Sequence, residues 1–99
     1  MEVRFKEEGQ ALKIYISGRL DSNTAPKAEK AVAQKVTDEI KNIEFDLEKL
    51  EYISSAGLRL LLTYQKKMTI GKSMKVTNVS REVMDIFEAT GFDDVLTIY

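Results

Sequence analysis

Serine is the residue type in this chain best placed to do chemistry. Ser54 and Ser55 stand between the run Leu50-Glu51-Tyr52-Ile53 and a leucine-rich stripe that begins at Leu58, with only Ala56 and Gly57 intervening. At the start of a helix a serine oxygen can accept a backbone N–H, and such a cap contributes about 1 kcal/mol. The same position leaves a hydroxyl unhindered among unpaired N–H donors. A phosphoryl group added there would meet the positive end of the helix dipole and be tolerated by the fold. A second polar group, Asp21-Ser22-Asn23-Thr24, lies just before Pro26. Proline inside a helix is tolerated in the first turn, so a helix should begin near Asn23 or Thr24, with Asp21 available to cap it.

Other chemistry is excluded by what is missing. The 99 residues include no cysteine and no histidine, which removes disulfides, thiolate ligands, cysteine nucleophiles and the usual general base. Gly71-Lys72-Ser73 is not a phosphate-binding loop, because Lys66 stands where the earlier glycine belongs and the segment follows a helix instead of opening one. Asp93 and Asp94 are adjacent carboxylates without further ligands, so no metal and no cofactor is expected. A phosphotransfer receiver needs acids clustered at strand ends, whereas Asp46 is read as interior to its strand and Asp21 stands alone. The sequon Asn78-Val79-Ser80 leaves a strand and is read as chance, and the tyrosines are assigned packing roles. Fifteen basic and sixteen acidic side chains leave a net charge of -1, too little to hold a nucleic acid backbone. The longest apolar stretch, near Leu60 to Leu62, is far too short to span a bilayer, so a cytoplasmic protein without a membrane partner is expected.

The elements that would position the two serine-bearing and aspartate-bearing loops follow from hydrophobic period. Val3 and Phe5 alternate with polar neighbours, and after Gly9 the run Leu12 to Ser17 alternates again, which predicts an antiparallel pair. Ala28, Val32, Val36 and Ile40 recur every four residues and predict the first helix, with Ala25 and Ala33 alongside. Ile43, Phe45 and Leu47 form a strand covered on one face. Leu58, Leu61, Leu62 and Met68 set the central helix, expected to stop at Gly71. Met74 to Val79 is a further strand, Ser80 caps a third helix carrying Val83, Met84 and Phe87, Thr90-Gly91 ends it, and Val95 to Tyr99 supplies a last strand. The expected order is β-β-α-β-α-β-α-β, an α/β fold of one domain over residues 1–99. Its mixed, mostly parallel sheet has about five strands, with three main helices. In such a sheet sites gather at the carboxyl ends of parallel strands, so the loop from Gly18 to Ala25 and the loop from Tyr52 to Leu58 should lie side by side.

The run from Glu44 to Leu62, centred on Tyr52-Ile53-Ser54-Ser55-Ala56-Gly57-Leu58-Arg59, resembles the core signature of the bacterial anti-sigma factor antagonists, the STAS domain family. Gly18-Arg19-Leu20-Asp21 with Thr24-Ala25 upstream, and Met74 to Ser80 with Ile86-Phe87 and Thr90-Gly91-Phe92 downstream, extend the resemblance over almost the whole chain. It implies a noncatalytic module that binds an anti-sigma factor of serine kinase type, is phosphorylated by it and so released, and is reset by a serine phosphatase. By motif position Ser55 matches the phosphoacceptor. Ser54 stands where the commonest pattern has Asp, and Ala56 where it has Ser or Thr, which makes Ser54 a rival acceptor. The implied partner surface comprises Asp21, Thr24, Ile53, Ser54, Ser55, Gly57, Leu58 and Arg59. Arg59, four residues after Ser55, is at the spacing where helical side chains meet and could pair with a phosphate there, or could simply be a solvated charge. An alternative within the same resemblance is an unphosphorylated STAS-like scaffold of a signalling complex, in which the serine is only a cap. A monomer is expected, since no continuous apolar stripe is left over once each helix face is assigned.

Overall fold

The computed structural model describes residues 1–99. Strands β1 (Glu2–Glu8) and β2 (Ala11–Leu20) form an antiparallel hairpin in which Val3 faces Ile16 and Phe5 faces Ile14. The chain turns on Gly9 at a φ of 59°, a left-handed conformation that glycine adopts without the cost of a Cβ clash. Helix α1 (Ala25–Lys35) then leads to β3 (Asn42–Asp46), which runs parallel to the first half of β2 with Ile14 opposite Phe45. Strand β4 (Leu50–Ile53) runs parallel to the far end of β2, with Leu20 opposite Ile53. After helix α2 (Ser55–Lys67), strand β5 (Ser73–Thr77) pairs parallel with β3, and helix α3 (Arg81–Thr90) follows.

The mixed sheet of five strands, mostly parallel, and the three helices agree with the expected α/β class. The identity of the fifth strand differs. Leu50–Ile53 is too short to show a period of its own, yet it pairs because β2 is ten residues long and extends beyond the part that β3 covers. Conversely, Val95 to Tyr99 makes only a single parallel bridge, Ile98 to Val76. The helices also end sooner than their stripes suggest. α1 stops at Lys35 and α2 at Lys67, although Ile40 and Met68 beyond them are still buried. Burial recurring at four-residue spacing persists here in loop residues that fold back on the same core. α3 matches the expectation at both ends: Ser80 Oγ accepts the Val83 N–H at 3.2 Å, and Gly91 closes it in the left-handed conformation at φ 79°.

Twenty-three buried apolar residues form one cluster between the sheet and the helices. Leu12, Ile14 and Ile16 of β2, Ile43 and Phe45 of β3 and Met74 and Val76 of β5 supply its sheet side. The alternate residues Lys13, Glu44 and Lys75 lie on the opposite face and pair among themselves, Lys13 to Glu44 at 3.5 Å and Lys75 to Glu44 at 3.9 Å. Asp46 ends β3 and is not interior to it. Only 8 % exposed, it accepts the Glu48 N–H at 3.0 Å and an Asn78 amide N–H at 3.1 Å, and Lys13 lies 3.6 Å away. Its charge is thus consumed in joining β3 to the turn after β5. No helix is long and apolar enough to cross a membrane.

Candidate functional site

The parallel pairing of β2 with β4 brings their carboxyl ends together, and two loops leave the sheet there. The Ser54 N–H donates to the Leu20 carbonyl at 2.9 Å, tying the loop that opens α2 to the end of β2. The two segments expected to lie side by side do so. Their approach depends on Gly57. A Cβ built there would stand 2.6 Å from Ile53 Cγ1, 2.9 Å from Leu20 Cγ and 2.9 Å from the Leu20 carbonyl oxygen, closer than carbon atoms pack. Hydrogen in place of a side chain lets the first turn of α2 rest directly on both strand ends.

Asp21 organises the other loop. One of its oxygens, Oδ1, accepts the backbone N–H groups of Asn23 at 2.9 Å and Thr24 at 3.1 Å. Thr24 returns the contact: its hydroxyl donates to the Arg19 carbonyl at 2.8 Å, and its oxygen accepts the Asp21 N–H at 2.9 Å. Asp21 is therefore a turn former and does not cap α1. The cap position belongs to Thr24, whose side chain is engaged with the loop and makes no capping bond. The N–H groups of Thr24 and Asn23, with the Thr24 hydroxyl and the nearby Arg19 cation adding to them, hold the Asp21 carboxyl below the ordinary aspartate range. A depressed folded-state pKa means that the loop's order is fully present above the unfolded value and is lost as pH falls through the folded one. An NMR titration of the Asp21 carboxyl is expected to give a midpoint below that of an ordinary aspartate. Loss of amide protection at Asn23 and Thr24 should follow the same midpoint, and a normal Asp21 midpoint would remove the turn's proposed anchor.

Arg19 adds a side chain that sequence reasoning did not single out. Its guanidinium lies over the Tyr52 ring, 4.3 Å from the centroid, and its Nε is 4.0 Å from Asp21 Oδ2. The stack exists because a register shift between Gly18 and Arg19 sets Arg19 opposite Tyr52. The pattern of β4 alone carries no sign of it.

The two serines separate sharply. Ser54 occupies the cap position of α2, but its side chain makes no capping bond, and its Oγ is buried without any hydrogen-bond partner. Ser55 is the first residue of α2 and is exposed. Neither hydroxyl therefore caps the helix, contrary to the simplest expectation for the pair: one turns inward and the other is free. The Leu58 N–H still reaches the Ser54 carbonyl at 2.9 Å, so the helix starts by backbone bonding alone. Ser54→Ala removes an unpaired polar atom and is expected to leave the unfolding midpoint unchanged or raise it, whereas loss of a true cap would cost about 1 kcal/mol. Chemical denaturation distinguishes the two, and a loss of that size would show that Ser54 caps in solution.

Three of the expected partner-surface residues offer no surface. Ile53 and Leu58 are 1 % and 4 % exposed and belong to the core, and Gly57 is buried against Leu20. The reason is the same for each: the first turn of α2 sits on the strand ends, so apolar side chains beside the serines point between the layers. The accessible patch is made instead by Ser55, Arg59 and Arg19, with Asp21, Thr24 and Tyr52 half-buried around them.

The fold has counterparts among known proteins. The Anti-sigma-B factor antagonist of Staphylococcus aureus is 28 % identical over 86 residues, covering 86 % of this chain and 80 % of that protein. Among solved structures, an anti-sigma factor antagonist from Mycobacterium paratuberculosis superposes with a TM-score of 0.88 at 23 % identity, over 99 % of this chain and 84 % of the other. The Bacillus cell fate determinant SpoIIAA in its phosphorylated form gives 0.74 at 15 % identity, over 99 % of this chain and 91 % of the other. These likenesses fall on a strand and helix order that the hairpin, the parallel β2–β4 contact and the glycine-seated helix already define, and the STAS domain model matches residues 2–99: the chain belongs to the STAS domain family.

Proposed function

We propose that the chain is an anti-sigma factor antagonist. It binds an anti-sigma factor of serine kinase type through the patch around Ser55, and phosphorylation of Ser55 ends the association. The observation that carries this reading is the contrast between the two hydroxyls: Ser55 is exposed at the first residue of α2, whereas Ser54 Oγ is buried. A kinase can reach only the first without opening the fold. The names of the relatives support the same reading.

In the modification step the Ser55 Oγ forms a bond to the γ-phosphorus of ATP while the bond from that phosphorus to the leaving oxygen of ADP breaks. The hydroxyl proton passes to a base of the kinase. Two circumstances make the product compatible with the fold. Ser55 stands at the positive end of α2, and the first turn of that helix contains no acidic side chain to repel a phosphate. The same charge is incompatible with a buried interface, since an added anion facing an apposed protein surface must be desolvated without a counterpart across that interface. Hydrolysis by a serine phosphatase, with water as the acceptor, restores the neutral surface. No step requires this chain to act as an enzyme.

The test is capture and release. A tagged copy is expected to retain an ATP-binding serine kinase from its own cell and to lose it on addition of ATP with magnesium, with mass spectrometry placing one phosphate on Ser55. Ser55→Ala should retain the kinase in the presence of ATP, and Ser54→Ala should behave as the unaltered protein. Phosphate found elsewhere, or release unaffected by Ser55→Ala, would refute the assignment.

A further inference from the structure

Helix α2 carries three cations, Arg59, Lys66 and Lys67, and no acidic residue. Arg59 is exposed and takes part in no salt bridge or cation–aromatic contact. This sets it apart from Arg19, which is stacked on Tyr52, and from Arg81, which reaches Asp85 one turn along α3 at 3.9 Å. The backbone at Arg59 is committed, its carbonyl accepting the Thr63 hydroxyl at 2.9 Å, but its guanidinium is free.

Its free position is also a directed one. Side chains four apart on a helix are neighbours, and helical side chains lean toward the amino end, so a residue covers the turn that precedes it. For Arg59 that turn begins at Ser55, whose side chain is exposed as well. We infer that Arg59 is the residue that holds a phosphate on Ser55, an uncommitted guanidinium one helical turn from the acceptor hydroxyl with no carboxylate on α2 to compete for it. This rests on the reading of Ser55 as the acceptor and adds to it a regulatory consequence. The modified protein offsets about half of its phosphate charge and leaves the remainder to oppose a partner, removes Arg59 from the surface offered to that partner, and presents the phosphatase with a phosphate already engaged by two or more charge-assisted hydrogen bonds.

The test needs no kinase. Phosphoserine is introduced at position 55 during translation by an expanded genetic code, and the phosphate is titrated by phosphorus NMR in the full chain. An unpaired phosphoserine loses its second proton near about pH 6, and pairing with a cation lowers that midpoint. The midpoint in the otherwise unaltered protein is expected to lie about half a pH unit below that of Arg59→Ala, as for a solvent-exposed charge-assisted helical pair. Arg59→Lys should retain part of the shift. Lys66→Ala, which removes a cation of the same helix beyond reach, should leave it whole. Asp21 of the adjoining loop is present in every variant, so its repulsion cancels in the comparison. Equal midpoints for the unaltered protein and Arg59→Ala would overturn the inference. Because the phosphate is installed independently, that result would leave the capture-and-release experiment standing, and failure of release would leave this one standing.

Discussion

Gly57→Ala is expected to destabilise the protein by about 1–3 kcal/mol, read as a melting temperature lower by about 5–20 °C for a domain of this size. The added methyl meets Ile53 Cγ1 and Leu20 Cγ, atoms near the root of buried side chains and not their flexible ends, and the Leu20 carbonyl oxygen, which belongs to a strand. Relief therefore requires movement of backbone. The first turn of α2 must lift from the ends of β2 and β4, straining the bond between the Ser54 N–H and the Leu20 carbonyl. The effect reaches function through position: Ser55 and the Asp21 loop, now held together, would separate. Thermal unfolding checks the stability, and amide exchange at Ser54 locates the damage. A melting temperature within a degree or two of the unaltered protein would show that α2 has room the structure does not contain.

The second large effect is on binding. Ser55→Asp should weaken capture of the anti-sigma factor by about 2 kcal/mol or more, roughly 30-fold, because the complex must desolvate a carboxylate that has no counterpart across the interface. Folding is not the cause: an acid at the first position of a helix favours the dipole by about 0.3–1 kcal/mol, so the unfolding midpoint should hold or rise. Ser55→Asn supplies the control, since it has nearly the shape of aspartate without its charge and should bind within a few-fold of the unaltered protein. Calorimetry with the purified partner measures all three. Equal affinity for the Asp and Asn variants would remove charge as the switch.

Much of the fold is legible in single residues. The alternation of Leu12, Ile14 and Ile16, the spacing of Ala28 and Val32, and the pairing of Ser80 with Gly91 at the two ends of α3 are local signals that the structure repeats. Local signals fail where another part of the chain decides. Strand β4 exists because β2 runs on past β3, and the Val95 to Tyr99 strand is reduced to one bridge. Ile53 and Leu58 have the same apolar character whether they meet a partner or a core, and only the seating of α2 buries them.

The serine pair shows the division most clearly. The order Ser54-Ser55-Ala56-Gly57 alone determined that hydroxyls stand at the opening of a helix free of first-turn acids, since helix period, small residues and composition are written along the chain. Which hydroxyl faces water was decided by tertiary structure, because it depends on how α2 lies against Leu20 and Ile53, residues set by strand pairing and not by neighbours in sequence. The same holds for Arg19 above Tyr52, thirty-three positions apart in the chain and opposite each other only through the register of two parallel strands. Helical and strand periods are properties of consecutive residues, whereas exposure is a property of what packs against them.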